Sequence, residues 1–183
     1  MADVATIYLR IVKERFLSVK ELGDRTFNQC TEEDLHWSMD KNSNSMATIV
    51  QHMSGNMLSR WTDFLTTDGE KQTRNRDEEF ERKRETKAAL QQRWERGWRV
   101  LFQTLEELQP ENVEQSVTIR SEEHLVMEAI ERQVAHYSYH VGQIVYIGKM
   151  IKREQWNSLS IPKGQSINYL EEMQNKHGLE SKR

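Results

Sequence analysis

Two stretches of this chain carry no charged side chain at all. In a sequence that is 30% Asp, Glu, Lys and Arg, residues 42–59 and 133–148 contain none of them. Both place apolar residues at helical spacing, so both read as helices facing a core. Each carries histidine: His52 in the first, His136 and His140 in the second. Four residues is just over one turn, so His136 and His140 leave one helix face with Cβ atoms roughly 5–6 Å apart. Two ring nitrogens at that spacing can converge on one metal ion at about 2.0–2.1 Å each. A buried imidazole left without a partner costs about 1–3 kcal/mol. A metal shared by His52, His136 and His140 would satisfy all three.

Composition bounds the class. With 183 residues the chain has enough length for one well-buried domain, expected to span residues 1–183. Two prolines and eight glycines leave long segments without turn signals, which predicts mostly helix. A mean hydropathy of −0.85 is low for a globular protein. Five tryptophans and eight methionines offset it, because each buries a large apolar area. A net charge of −3 gives no general attraction to nucleic acid or acidic membrane. The lone Cys30 excludes an internal disulfide and fits a reducing compartment. No stretch offers the roughly 18 apolar residues of a membrane span. The N-terminal residues alternate charge with apolar side chains and form no signal core, so a cytoplasmic protein is expected.

The pattern then resolves into elements. Asp3 is a cap for a first helix reaching about Asn28, with Val4, Ile7, Tyr8, Ile11, Val12, Val19 and Leu22 as one buried stripe. Residues 31–34 have the form of a short capped turn. Ser45 caps a second helix to about Thr66, whose stripe is Met46, Ile49, Val50, Met53, Met57, Trp61 and Phe64, with His52 at its flank. Asp68-Gly69 marks a turn. A third helix is expected from Asp77 to Leu108, its charged first part, Glu78 to Lys87, forming a solvated face. Its second part, from Leu90 through Trp94 and Trp98 to Leu108, reads as core. Val113 to Ile119 predicts a short strand in a small hairpin turning at Ser121-Glu122. The fourth helix, Val126 to Lys152, carries the histidine pair, and a short helix capped by Ser166 closes the chain. The fold class is all-α: a four-helix bundle with a short helix or hairpin in its connections and a short C-terminal helix.

Two segments carry a family resemblance. Asn44-Ser-Met-Ala-Thr-Ile-Val-Gln-His-Met-Ser-Gly-Asn56 is similar to the second-helix pattern of the DinB/YfiT-like superfamily, with its single histidine. Arg132-Gln-Val-Ala-His-Tyr-Ser-Tyr-His-Val-Gly-Gln-Ile144 with Ile147 beyond it is similar to that superfamily's H-x-x-x-H on the last bundle helix. Leu159-Ser-Ile-Pro-Lys-Gly-Gln-Ser166 resembles a tail found in one subgroup. The resemblance covers essentially the whole chain. It implies a divalent metal, nickel or zinc, held by His52, His136 and His140 with open positions, and a homodimer. Characterised members of the superfamily include transferases that use a low-molecular-weight thiol and a maleylpyruvate isomerase, and others are described as metal-dependent hydrolases.

Three neutral imidazoles leave a divalent ion with residual positive charge and at least one free position, the pattern of a reactive rather than a structural zinc. Such an ion lowers the pKa of a bound water or thiol. Tyr137, not Glu, follows His136, so the zincin arrangement with its built-in carboxylate base is missing. Arg132, Gln133 and Gln143 share the ligand face, and Asn56 lies one turn after His52. These are placed to orient ligands, or to bind a substrate carboxylate or a thiol's polar tail. Glu128 is a nearby carboxylate that could serve as a base. The reading is a metal-dependent enzyme, a thiol-dependent transferase acting on a small electrophile. Its alternatives are a non-catalytic helical dimer, a binding or stress-associated module with a structural or vestigial site, and a metal-dependent hydrolase. The expected partners are a small-molecule substrate and a second copy of the chain, not nucleic acid or a membrane. His36, His124 and His177 are expected at the surface, and Trp61, Trp94 and Trp98 in the core.

Overall fold

Asp3 starts the first helix. Its Oδ1 accepts a hydrogen bond from the Thr6 N–H at 2.6 Å, satisfying one of the orphan donors of the first turn. The computed structural model describes residues 3–178. Helix α1 runs Val4–Gln29. Helix α2, Glu32–His36, is closed by a capping box between Thr31 and Asp34. Helix α3, Met46–Trp61, begins on Ser45, and helix α4, Lys87–Glu107, on Thr86; each cap accepts from the amide three residues on. Helix α5 is Val126–Lys152, and α6 is Ser166–His177, none of whose residues is buried. The described residues are thus mostly helical, with one small sheet. No helix among them is long and apolar enough to cross a membrane.

That sheet is a hairpin. Strand β1, Ser116–Ile119, pairs antiparallel with β2, Glu122–Leu125, with Ile119 opposite Glu122. The two-residue turn, Arg120 and Ser121, has φ of 56° and 63°, the mirror-image turn whose twist suits a tight hairpin. Asp68 secures it, taking the Arg120 N–H on Oδ1 at 2.9 Å and the Ser121 N–H on Oδ2 at 2.7 Å. Burial pushes the Asp68 carboxyl up, but the bonds from the Ser121, Glu70 and Arg120 amides outweigh it and hold the group at about 2. Gly69 N–H donates to Thr118 O at 2.8 Å, so the turn after α3 and the hairpin form one unit.

Each long helix packs against two others: α3 against α4 and α5, and α1 against the same pair. One aromatic ring from each meets at the centre. Phe16 of α1 lies edge-on to Trp61 of α3 at 5.8 Å between centroids, and 5.9 Å from Tyr137 of α5. Trp98 of α4 is 5.8 Å from Tyr137 and 6.3 Å from Phe16. Such pairs contribute about 0.5–1.5 kcal/mol each beyond the area they bury. The Tyr137 hydroxyl is satisfied on both sides, accepting from Trp61 Nε1 at 3.0 Å and donating to Asn56 Oδ1 at 2.9 Å.

Several expectations shift. The apolar stripes of α3 and α4, from Met46 to Phe64 and from Leu90 to Leu108, are buried throughout. On α1, however, Val4, Ile7 and Ile11 are exposed, because the apolar arc there is wider than the face its two neighbours cover; Val12, Phe16 and Phe27 are buried instead. Helix α3 stops at Trp61 rather than Thr66, since Ser59 Oγ and Arg60 Nη1 both donate to Gly69 O and draw the chain back. The first part of the expected third helix is not α-helical. Asp77–Phe80 forms one 3-10 turn, residues 81–86 form no regular element, and α4 starts only at Lys87. Strand β1 starts at Ser116 rather than Val113, and Ser166 opens α6 without capping it.

Close approach of α3 and α4 needs a glycine. A Cβ on Gly97 would lie 2.8 Å from Met57 Sδ and 3.2 Å from the Ser54 Cα. Gly97→Ala is expected to lower the unfolding free energy by about 1–3 kcal/mol. Gly142, with open space around its missing Cβ on the exposed face of α5, should gain about 0.5–1 kcal/mol on the same change. Denaturant unfolding of the two variants measures both, and equal effects would contradict this packing.

Candidate metal centre

The phase of α5 decides where its histidines point. Ile130, Gln133, Tyr137, Val141 and Ile144 are buried, which turns His140 inward and leaves His136 half-buried beside it. On α3, burial is nearly complete around the helix, and His52 is 4% exposed. The two helices pack together, and the three imidazoles meet. His136 Nε2 lies 3.3 Å from His52 Nε2 and 3.1 Å from His140 Nε2, and all three ligand atoms fall within 4.8 Å of one another. Two nitrogens sharing a tetrahedral ion at 2.0–2.1 Å stand about 3.3 Å apart.

The outer ring nitrogens are held. His52 Nδ1 lies 2.9 Å from Glu79 Oε2, and His140 Nδ1 lies 2.9 Å from Gln143 Oε1. Each acceptor draws the ring proton to Nδ1, which leaves a lone pair on Nε2. His136 Nε2 faces both lone pairs and can carry at most one proton. A hydrogen-bonded cluster therefore leaves at least one buried acceptor unmatched; a cation matches all three. Burial pushes His136 down to about 3, helped by the adjacent His140 and His52, and burial likewise lowers His140. Neutral imidazoles are what a divalent ion requires.

Glu79 was hidden in the charged segment read as a solvated face. It is 7% exposed, and Arg74 grips it with two bonds, Nε to Oε1 at 2.7 Å and Nη2 to Oε2 at 2.8 Å. Burial pushes its carboxyl up, but Arg74 and then His52 outweigh that, so it stays ionised below the ordinary range. It reaches α3 because residue 55 is glycine: a Cβ there would overlap the Glu79 carboxylate. Gln51 Nε2 also donates to Glu78 O at 2.6 Å, tying the same turn to α3. The one sequence signal was Phe80, the sole large apolar residue between Gly69 and Ala88. Its ring stacks on His52 with centroids 4.7 Å apart.

The trio opens into a cleft of about 380 Å³ bordered by Asn56, Arg132, Gln133 and Tyr139. Asn56 is tied to Tyr137, and Gln143 holds His140 without bordering this cleft. Arg132 is exposed at its edge. Glu128 is used elsewhere, its Oε2 accepting from the Leu125 N–H at the start of α5. Tyr137 is core and Tyr139 is exposed. His36, expected at the surface, is half-buried with Nε2 2.7 Å from Glu85 O; His124 is half-buried in the hairpin; His177 is exposed on α6. Arg60, Arg74, Arg76 and Arg120 also border the cleft, a basic wall that the sequence reading missed because its members are scattered over 60 residues of chain.

A family model described as "Protein of unknown function (DUF1572)" matches residues 3–165. The chain belongs to this family. The match takes in all three histidines, Glu79, Gln143 and the 159–165 segment, and stops before α6. No curated protein and no solved structure matches the chain.

Acid should loosen the metal-free centre. Below the unfolded value of 6.5, an unfolded chain takes up protons that folded His136 and His140 refuse, so stability falls as pH drops toward 3. Glu79, depressed from 4.5, adds stability above that value that is lost on further acidification. The urea midpoint of chelator-treated protein is expected to fall between about pH 7 and about pH 4.5, and a His136→Gln variant should show a flatter profile. Parallel profiles would mean that His136 is not held neutral.

Proposed function

We propose that this chain is a DinB/YfiT-like metal-binding four-helix bundle. In this reading His52, His136 and His140 hold a divalent ion, nickel or zinc, and the protein is a thiol-dependent transferase acting on a small electrophile. The observation that carries it is the convergence of three imidazole Nε2 atoms, with the outer nitrogens of His52 and His140 already engaged and their two lone pairs facing the His136 ring. Imidazole ligands suit both metals. The ion's chemistry would be to lower the pKa of a thiol or water bound at its open position.

The chain's own residues prepare that chemistry. Glu79 and Gln143 fix ring orientation, and Arg74 fixes Glu79, so the donors are set before anything binds. Phe80 covers one face of His52 and limits water there. The carboxylate nearest the trio is not free to act as a base, since both Glu79 oxygens are engaged by Arg74 and His52. That favours thiol activation over a hydrolase with its own carboxylate base. The cleft on the open side favours a reactive centre over a closed structural one. The resemblance also carries the homodimer and the thiol cosubstrate into this reading.

Elemental analysis of untagged protein purified without chelators tests it. About one divalent ion per chain is expected, lost in His140→Ala, and Glu79→Gln should weaken zinc binding by about 10–100-fold with the fold intact by circular dichroism. The metal-loaded protein should then consume a low-molecular-weight thiol in the presence of a small electrophile, and His140→Ala should not. Failure of the wild type to take up nickel or zinc would sink the enzymatic reading and leave a binding module with a histidine core.

A further inference from the structure

Five guanidinium groups border the histidine cleft: Arg60, Arg74, Arg76, Arg120 and Arg132. Two carboxylates answer them. Glu70 is shared by Arg60 at 3.1 Å, Arg74 at 3.2 Å and Arg120 at 2.9 Å, and Glu79 is taken by Arg74 and His52. Among the described residues, Arg76 and Arg132 have no carboxylate within 4.0 Å. Arg76 instead lies over the Phe80 ring, 5.2 Å from its centroid. The wall thus carries more positive than negative charge, and a cleft lined by one sign of charge focuses its field on an incoming ion.

Two residues of the same wall carry buried polar atoms without partners. Gln133 is 3% exposed, and its Oε1 has no hydrogen-bond partner; Arg60 is 5% exposed, and its Nε has none. Leaving such an atom buried and unmatched costs about 1–3 kcal/mol. Both residues border the cleft, and neither is a candidate metal ligand. Both atoms are closed off from solvent, so the groups free to meet a ligand are the exposed Arg76 and Arg132. Guanidinium is the planar fork that matches carboxylate and phosphate oxygens in pairs.

The geometry points to a small anionic substrate: a molecule whose carboxylate or phosphate oxygens are held by Arg76 and Arg132 at the rim of the histidine cleft. This rests on the reading of the three histidines as a reactive centre for the anion's being its substrate. The anion site itself stands on the arginines. Arg74 and Arg120, engaged with Glu70 and Glu79, add to the field and keep the wall in place.

Isothermal titration calorimetry with inorganic phosphate, succinate and uncharged succinamide tests the site, on metal-loaded and chelator-stripped protein in low-chloride buffer. The variants are Arg76→Gln/Arg132→Gln and, as a control of equal charge change away from the cleft, Arg15→Gln/Arg99→Gln. Saturable binding of phosphate or succinate is expected, with none for succinamide. It should weaken at least about tenfold in the first double variant and stay within about twofold in the second. The tighter of the two anions identifies the headgroup. No saturable binding of either anion to wild type, or equal weakening in both double variants, overturns the proposal. So does anion binding that disappears on stripping the metal yet is indifferent to Arg76 and Arg132. Metal content measured on the same samples separates the two ideas: protein that holds no metal but binds the anion through these arginines refutes the metal reading alone.

Discussion

Tyr137 is the side chain on which the geometry of the centre turns. It is wholly buried, it meets Trp98 edge to face and Phe16 at a tilt, and its hydroxyl links Trp61 to Asn56. A phenol in that position has one rotational setting of α5 available to it. Any other setting would bury an unmatched hydroxyl or expose an aromatic ring, at a cost of several kcal/mol. Burial pushes the phenol up, so it stays a neutral donor. With Tyr137 fixed inward, His136 and His140 on either side of it are aimed at α3. The aromatic layer therefore positions the ligands, although none of its members touches the centre's open side.

The second support comes from outside the long helices. The turn at Asp77–Phe80 lays Glu79 against Gly55 and Phe80 against His52, while Asp68 clamps the hairpin so that Arg120 reaches Glu70. Irregular connections thus deliver both the orienting carboxylate and most of the basic wall. A buried carboxylate is tolerable here only because Arg74 meets it with a two-point grip and His52 takes its remaining side. The same ion pairs that hold the loops leave Arg76 and Arg132 unmatched, which is why the cleft is basic in a chain whose net charge is negative.

The long helices and the histidine trio were legible because they rest on local periodicity. Residues 42–59 and 133–148 announce buried helices by the absence of charge, and four-residue spacing puts His136 and His140 on one face whatever surrounds them. The caps Asp3, Thr31 and Ser45 act within three residues of themselves, so their short-range signals were readable. The same logic misled at Glu78 to Lys87, where alternating charge has the pattern of a solvated helix. A charged residue is read as exposed unless its partner is known, and Glu79's partners are His52, on another helix, and Arg74, in a neighbouring loop.

Sequence by itself determined the helical class, the core stripes of α3 and α4, and which histidines could act together. Each depends on contacts within a turn or two of the chain, or on the simple exclusion of charge from apolar surroundings. Tertiary structure alone decided the exposed apolar edge of α1, the early end of α3, the burial of Glu79 and the gathering of five arginines around one cleft. Those follow from which neighbours cover a face and which opposite charges meet. Such pairings join residues tens of positions apart, and no local pattern encodes them.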